Sequence, residues 1–454
     1  MSFAGGPSTY AMLPVLLLGQ FMALLDVTIV NVATPTIGTD LPASGAQLQL
    51  VVGGYTASYA MLLITGARLG DLYGLRRCYL AGAVGFTLAS LACGLAPNGA
   101  ALVAFRFVQG AAAAVMVPQI MSVIQTRFAG PARARAVSAY GAVLSVGAVA
   151  GLGAGGVLVE ADLGGLGWRA VFLVNVPIGV LLAILVPRLV PADEPRGTRR
   201  LDLARLAVAV PAVFLVVLPL VLGRQLGWPP WTVGALALGA VLAGLFVVVE
   251  RRVRDPLLSF AVLRARGVAA GVGTLICMQV TYGGLLFVLT LHLQAGLGVS
   301  PLRTGLTFAP MAAVFGAVGY WWRALPALGL GLCAVAFTQL ATDPGHGMWV
   351  ALVVWGAGMG ASASPLVAQS LAGVPRELAA DASGVLTTTM QLGQVIGVAG
   401  FGGLFLSLSG ASPTAAGSAR ALAGTAGWLV PLAAAGVAAG VLFARSVVQQ
   451  RSVR

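Results

Sequence analysis

Long apolar runs with almost no charge recur along the whole chain, and they constrain the fold more than any other feature. A helix needs about 20 mostly apolar residues to cross a bilayer, and it satisfies every backbone amide in lipid by bonds within its own segment. Fourteen runs meet this requirement, at residues 10–33, 48–67, 78–96, 101–125, 136–159, 170–187, 203–223, 232–250, 267–295, 303–321, 324–341, 347–371, 382–409 and 425–444. The sequence therefore predicts an all-α polytopic membrane protein with 14 transmembrane helices.

The composition agrees with this prediction and excludes a water-soluble domain. Charged residues make up 9% of the chain and hydrophobic residues 59%, whereas soluble domains carry about 25% charged residues. Only a few residues separate the tenth and eleventh runs, between Trp321 and Pro326. An arrangement of twelve spans stays open if this pair, or the pair within 203–250, is misread.

The arginines predict the orientation of the chain. All 26 basic residues are arginines. With the N-terminus inside, Arg106 falls within a span, Arg169, Arg224, Arg303 and Arg420 fall in outer loops, and the remaining 21 are cytoplasmic. Because cytoplasmic loops retain positive charge, both termini are predicted to be cytoplasmic and the protein to lie in the cell membrane. The same bias explains the net charge of +13 without a nucleic-acid partner.

Two long polar stretches, 187–202 and 250–266, group the predicted spans as six, two and six. The predicted parts are an N-terminal six-helix bundle (1–190), a two-helix insert with flanking cytoplasmic loops (191–266) and a C-terminal six-helix bundle (267–454). Alternating access would then rock the two bundles around a midplane cavity.

Asp26 is the only charge in the first run, within "LLDVTIVNVATP" (24–35). Arg106 lies within the fourth run, where it shares a helix face with Gln109 and Gly110. A central Asp or Arg costs roughly 2.5–3.5 kcal/mol to insert, so the two side chains should pair or face a water-filled cavity. Burial favours a neutral carboxyl group and a nearby guanidinium favours an ionised one. Asp26 and Arg106 are thus candidates for proton coupling, and a static ion pair is the structural alternative.

Five stretches together resemble motifs of the major facilitator superfamily, and within it of the fourteen-spanner drug:proton antiporters. They are "LDVTIVNVATP" (25–35) on the first helix, "ARLGDLYGLRR" (67–77) in the loop after the second, "LVAFRFVQGAAAA" (102–114) on the fourth, "GAVAGLGAGGVL" (147–158) on the fifth and "WRAVFLVNVPIG" (168–179) at the start of the sixth. The chain departs from the fifth-helix motif at Leu152, where proline is usual. The resemblance implies a major facilitator fold and an exporter of drugs or antibiotics.

The loop motif implies a conformational latch formed by Asp71, Gly74, Arg76 and Arg77. A carboxylate that faces arginines or a helix N-terminus makes a charge-assisted contact. The alternative is that these arginines only determine topology.

The fifth-helix motif implies a helix seam formed by Gly147, Gly151, Gly155 and Gly156. Glycines at every fourth position allow two helix backbones to approach closely, although ordinary small-residue packing is the alternative. A similar pattern occurs in the fifth run of the second half, in "GVLTTTMQLGQVIGVAGFGG" (384–403), and suggests an internal repeat.

Polar or soft side chains within the runs are candidates for substrate binding. They are Gln20, Gln109, Gln279, Tyr282, His292, Met311, Gln391 and Gln394. For each of them, packing inside the helix bundle is the alternative. His292, near the outer end of the ninth run, is either a second titrating group or an interface residue.

The sequence contains no nucleotide-binding GxxxxGK[ST] loop and no HExxH motif, and its cysteines show no metal-ligand spacing. We therefore predict a carrier rather than an enzyme, with no cofactor or metal and a proton gradient as its energy source. Its partners would be protons, a small amphipathic substrate and the lipid bilayer, and it would act as a monomer. An importer or exporter of a specific metabolite on the same fold is the alternative.

Overall fold

Helices account for all the regular secondary structure in the described part of the protein. The computed structural model describes residues 7–128, 130–193, 203–223, 226–253, 261–264, 267–321, 326–345, 347–372, 374, 379–410 and 414–451. Parts of the two predicted cytoplasmic stretches (194–202, 254–260 and 265–266), the predicted outer Arg224 and the residues that separate the tenth and eleventh runs (322–325) lie outside these residues.

The helices up to the first long polar stretch are α1 (Pro7–Asp40), α2 (Gly45–Tyr73), α3 (Leu75–Gly94), α4 (Gly99–Arg127), α5 (Gly130–Glu160), α6 (Ala170–Leu173) and α7 (Asn175–Leu189). Two 3-10 turns, Leu163–Gly165 and Gly167–Arg169, precede α6. The next helices are α8 (Leu203–Leu222), α9 (Pro230–Arg252) and the short α10 (Ala261–Arg264). The remaining helices are α11 (Val268–Leu291), which continues into a π-helical turn (His292–Gly296), α12 (Pro301–Trp321), α13 (Pro326–Thr342), α14 (Met348–Ala372), α15 (Ala379–Ser409) and α16 (Ala415–Arg451).

The lengths of these helices confirm a polytopic all-α membrane protein. Among the described residues, ten helices are long and apolar enough to cross a membrane, or eleven if α2 is one bent span. The described stretch Ala207–Val216 of α8 and the whole of α13 are shorter apolar helices. Within the described residues, each of the fourteen predicted runs is largely helical, but these lengths do not confirm a count of fourteen spans.

The bend in α2 was not predicted from the sequence. Its segments Gly45–Leu63 and Thr65–Tyr73 meet at 50°. Next to the bend, Gln119 Nε2 on α4 donates to the Gly66 carbonyl oxygen at 2.7 Å. Sharp kinks occur where a side chain bonds into the backbone ladder of a helix, and this hydrogen bond joins α4 to α2 next to the bend.

The chain divides into two compact units, Met1–Leu206 and Ala207–Arg454. Within the first, α1 packs on α5, α2 on α4, and α3 on both α4 and α7. Within the second, α11 packs on α15, α12 on α14, and α13 on both α14 and α16. If α6 and α7 are taken together as the sixth span, the same pairs of spans pack in both units: the first on the fifth, the second on the fourth, and the third on the fourth and sixth. This supports the internal repeat, while the predicted three-part division stays a prediction.

Candidate functional site

Asp26 on α1 and Arg106 on α4 form a salt bridge inside the first unit. Arg106 Nη1 lies 2.5 Å from Asp26 Oδ2, and the side chains of Arg106 and Asp26 are 1% and 0% exposed. Pairing offsets the cost of placing each charge in an apolar environment. Of the two arrangements predicted from the sequence, pairing or exposure to a cavity, the structure shows pairing. The role in proton coupling stays a prediction.

The guanidinium of Arg106 is held by several contacts besides Asp26. Its Nε donates to the Val51 carbonyl oxygen at 2.7 Å, and its Nη1 donates to Gln109 Oε1 at 2.6 Å. The Tyr55 ring centroid lies 4.5 Å from the guanidinium carbon, and that of Phe172 lies 5.8 Å away. Aromatic faces stabilise a desolvated cation. These protein contacts therefore hold the buried Arg106 guanidinium in position.

The Asp26 carboxylate accepts two further hydrogen bonds on Oδ1. Gln109 Nε2 donates at 2.8 Å and Asn175 Nδ2, from the first residue of α7, donates at 2.9 Å. Both amides also donate to Ser90 Oγ on α3, at 2.5 and 3.2 Å. Asp26, Ser90, Arg106, Gln109 and Asn175 form what we call the Asp26 network. It ties α1 to α3, α4 and α7.

Sequence reasoning identified three members of the Asp26 network and missed Ser90 and Asn175. Asn175 stands alone as a polar residue in the apolar part of "WRAVFLVNVPIG", and that was the available signal. The sequence offers no such signal for Ser90, because a serine within a transmembrane helix usually bonds its own backbone.

A second ion pair lies at the end of the bundle that carries the α5–α6 connection. Asp40 Oδ2, at the last residue of α1, accepts hydrogen bonds from Trp168 Nε1 at 2.6 Å and from Arg169 Nη1 at 2.7 Å. The Arg169 guanidinium also stacks over the Trp168 ring at 4.5 Å. Both groups of the ion pair are partly exposed, so the contact positions the α5–α6 connection against α1 rather than forming a buried site.

At the opposite end of the bundle, the loop motif lies between α2 and α3. Gly74 has φ +95°, a conformation that residues with a side chain rarely adopt. The carboxylate at the α3 N-terminus belongs to Asp193, which accepts from the backbone N–H of Leu75 at 2.6 Å and of Arg76 at 3.1 Å. Negative charge at a helix N-terminus is favourable.

Of the predicted latch residues, Arg76 takes part in this contact through its backbone N–H, and Gly74 immediately precedes it. Arg76 Nη1 donates to the Val190 carbonyl oxygen at 3.3 Å, so it bonds to the same segment that carries Asp193. Asp71 and Arg77 are exposed. Asp193 was missed because it lies far from the loop motif in sequence. Whether the predicted latch operates stays a prediction.

Three glycines of the predicted seam of α5, at positions 147, 151 and 155, face α1. All four members of the seam are buried: Gly147, Gly151, Gly155 and Gly156. A Cβ atom on Gly151 would collide with Thr28 Oγ1 and would lie 2.9 Å from the Leu25 carbonyl oxygen. Gly147 and Gly155 also contact α1. The tightest of these glycine contacts, at Gly151, involves Leu25 and Thr28, which lie on either side of Asp26 in the sequence of α1.

The second unit repeats this arrangement between α15 and α11. A Cβ atom on Gly397 would collide with the Val280 carbonyl oxygen, and one on Gly393 would lie 2.7 Å from Gln279 Cβ. In each unit, the glycines of the fifth span thus face the first span.

The candidate substrate-binding residues differ in exposure. The buried ones are Gln20, Gln109, Gln279, His292 and Met311, and the half-buried ones are Tyr282, Gln391 and Gln394. Gln109 belongs to the Asp26 network. The Tyr282 ring centroid lies 5.9 Å from that of Trp355. Their roles in substrate binding stay predictions.

His292 lies in the π-helical turn after α11 and is 2% exposed. Its Nδ1 lies 2.8 Å from Ser418 Oγ on α16, so its ring has a hydrogen-bond partner inside the second unit. Isolated π-helical turns often occur at functional sites. Its titration stays a prediction.

Comparison with known proteins decides the family. The family model described as Major Facilitator Superfamily matches residues 16–398. The chain belongs to the major facilitator superfamily. It is therefore a transporter and not an enzyme.

Relatives of this major facilitator protein are named as antibiotic or multidrug transporters. A probable actinorhodin transporter of Streptomyces coelicolor is 38% identical, over 92% of this chain and 77% of that protein. Multidrug resistance protein Stp of Mycobacterium tuberculosis is 34% identical, over 85% and 74%. The tetracenomycin C resistance and export protein of Streptomyces glaucescens is 32% identical, over 86% and 75%. These relatives confirm the drug-exporter family predicted from the motifs.

Solved structures confirm the major facilitator fold. A bacterial homologue of the human lysosomal transporter Spinster, in an inward-facing and unoccupied conformation, matches with a TM-score of 0.70 at 19% identity, over 98% of this chain and 99% of that one. A structure that addresses substrate recognition in proton-dependent oligopeptide transporters matches with a TM-score of 0.70 at 14% identity, over 98% and 100%.

Proposed function

We propose that this major facilitator protein exports small amphipathic drugs or antibiotics in exchange for protons, by alternating access. The observation that carries the proposal is the buried carboxylate of Asp26, bonded to side chains of α4 and α7. Relatives named as antibiotic and multidrug transporters support the substrate class. A specific metabolite is the alternative substrate, and it would give narrow rather than broad selectivity.

Protonation of Asp26 would change the contacts between helices. Hydrogen bonds to a charged group are stronger than those between neutral groups. A neutral Asp26 would therefore bind Arg106, Gln109 and Asn175 more weakly, and α1 would separate more easily from α4 and α7. Proton uptake and release would thus bias the first unit between two arrangements.

The proton gradient supplies enough energy for this cycle. A proton that enters down a membrane potential of 100 mV, negative inside, yields about 2.3 kcal/mol, and each unit of pH difference adds about 1.4 kcal/mol. The proposal therefore needs no cofactor, and it describes a monomer in the cell membrane with fourteen spans.

Transport in proteoliposomes tests this function. An imposed pH gradient should drive a candidate antibiotic uphill against its own concentration, and a protonophore should abolish the accumulation. Accumulation that survives the protonophore would contradict proton coupling.

The orientation gives a topology prediction. A reporter fused after Arg454 should be cytoplasmic, and tags inserted near Gly164 or Thr414 should react with an impermeant reagent from outside, because the arginine bias places those connections there. Labelling of intact cells against permeabilised cells measures this. Tags that react only after permeabilisation at both positions would contradict the fourteen-span arrangement.

The charge of Asp26 gives a substrate prediction. It is the only acidic residue deep within the predicted spans of the first six-helix group, and one carboxylate balances one positive charge. We therefore expect resistance to neutral and monocationic lipophilic compounds and little resistance to dications. A susceptibility panel in a pump-deficient host measures this, and protection against dications alone would contradict it.

A further inference from the structure

The Asp26 carboxylate is surrounded by hydrogen-bond donors. The groups bonded to it in the described structure are Arg106 Nη1, Gln109 Nε2 and Asn175 Nδ2, all of which donate. Three donors suit an ionised carboxylate, but a protonated carboxyl group must also donate its own O–H. Protonation therefore requires that one of these neighbours become an acceptor.

Gln109 is poorly placed to become that acceptor. Its Oε1 already accepts from Arg106 Nη1 at 2.6 Å, and the Cys93 sulfur lies 3.8 Å from the same oxygen. Turning the Gln109 amide over would point its NH2 group at the Arg106 guanidinium, so that two donors would face each other.

Asn175 has a free acceptor. Its side chain is 0% exposed, and its Oδ1 has no hydrogen-bond partner among the described residues. A buried polar atom without a partner is uncommon and costly. Because the two ends of a side-chain amide are nearly the same size, a half-turn would exchange Nδ2 and Oδ1 with little change in shape.

We propose that Asn175 is a positioning residue whose side-chain amide turns over when Asp26 takes up a proton. With Asp26 ionised, Asn175 Nδ2 donates to Asp26 Oδ1 and to Ser90 Oγ, as the structure shows. With Asp26 protonated, the new carboxyl O–H donates to Asn175 Oδ1, and the Ser90 hydroxyl can donate to the same oxygen. The proton comes from solution, and no other covalent bond is made or broken.

The other titratable or charged groups around Asp26 are less well placed than Asn175 to accept a hydrogen bond from its O–H. Among the described residues they are Arg106 on α4, Tyr55 on α2 and Cys93 on α3. Arg106 has no acceptor atom, Tyr55 presents its ring face to the guanidinium, and the Cys93 thiol lies against Gln109. Protonation of Asp26 on α1 would also change contacts with α3 and α7, because Asn175 on α7 bonds both Asp26 and Ser90 on α3.

This inference rests on the proposed function, which makes Asp26 the group that takes up the proton. Infrared difference spectroscopy of the reconstituted full-length protein, between acid and alkaline pH and without substrate, tests the turnover of Asn175 and proton uptake by Asp26 separately. Asp26→Asn identifies the carboxyl band of Asp26. The chain has asparagine only at positions 31, 98 and 175, so isotopic labelling of asparagine marks three side-chain amides, and the band that is lost in Asn175→Leu belongs to Asn175.

In the wild type, the Asp26 carboxylic-acid band should appear at acid pH together with a shift of a labelled amide band. Asn175→Leu should remove that amide shift and move the Asp26 band to the higher frequency of an acid without an acceptor. It should also slow drug-driven proton movement roughly tenfold or more, the factor that one hydrogen bond to a charged group contributes.

Thr87→Val is the matched control at the same α3–α7 contact. The Thr87 hydroxyl bonds only to the Ala83 carbonyl oxygen among the described groups, so this variant should leave both bands unchanged.

Two results would overturn the inference, and they are distinguishable. An Asp26 acid band that is present in the wild type without a labelled amide shift would overturn the turnover of Asn175 and leave the proposed function intact. The absence of any Asp26 band across the pH range would overturn both. If Asn175→Leu fails to fold, labelled Asn31→Ala and Asn98→Ser assign the shifted band by elimination, because a shift that persists in both variants belongs to Asn175.

Discussion

Asp26→Asn should abolish uphill export while substrate binding persists. Asparagine keeps the size of the side chain and mimics the protonated carboxyl group permanently, so the coupling proton has no site. Antibiotic accumulation driven by a pH gradient should fall to the level of empty liposomes. Binding of the same antibiotic to the purified variant should remain, with little dependence on pH.

Asp162→Asn is the matched control for this change. Asp162 is an exposed carboxylate after α5, and its Oδ1 accepts from the Gly167 backbone N–H, a contact that an asparagine oxygen also makes. This variant should export normally. If Asp26→Asn still pumps uphill with a normal pH profile, then the Asp26–Arg106 pair is structural, and His292 becomes the next titratable group to test.

Gly151→Ala should disrupt the first unit far more than Gly153→Ala. The added methyl group at position 151 would collide with Thr28 Oγ1, whereas at position 153 it would meet nothing within 4 Å. Overpacking a close contact costs about 1–3 kcal/mol. We expect Gly151→Ala to lower the unfolding temperature and to reduce transport because α1, which carries Asp26, must move away from α5.

The two glycines lie on the same helix, so differences in helix propensity cancel in this comparison. Thermal unfolding in detergent and antibiotic transport in proteoliposomes provide the two measurements. Equal effects of the two substitutions would contradict the close contact between α5 and α1.

The membrane-spanning architecture could be predicted from the sequence because its cause is local. Each apolar run must form a helix to cross the bilayer, whatever the rest of the chain does. Because a charge within a span is costly, Asp26 and Arg106 can be identified as candidate site residues without knowledge of the fold. The glycine spacing on α5 likewise indicates a face for close contact. It does not indicate which helix lies on that face, and the structure identifies α1.

The partners of the charged groups could not be predicted, because they come together only through the tertiary fold. Asp193 bonds to the N-terminus of α3, and Asp40 bonds to Trp168 and Arg169, across long separations in sequence. The loop motif suggested Asp71 as the carboxylate next to α3, since it lies nearby in the chain. Asn175 and Ser90 are neutral side chains with no local sign of their partners.

Proton movement on addition of substrate tests the account most directly. Purified protein in liposomes with a trapped pH-sensitive dye should move protons in the direction opposite to an added antibiotic, in the absence of any imposed pH gradient. The account predicts a signal that depends on antibiotic concentration in the wild type and is absent in Asp26→Asn. Antibiotic transport without proton movement, or an equal signal in Asp26→Asn, would contradict it.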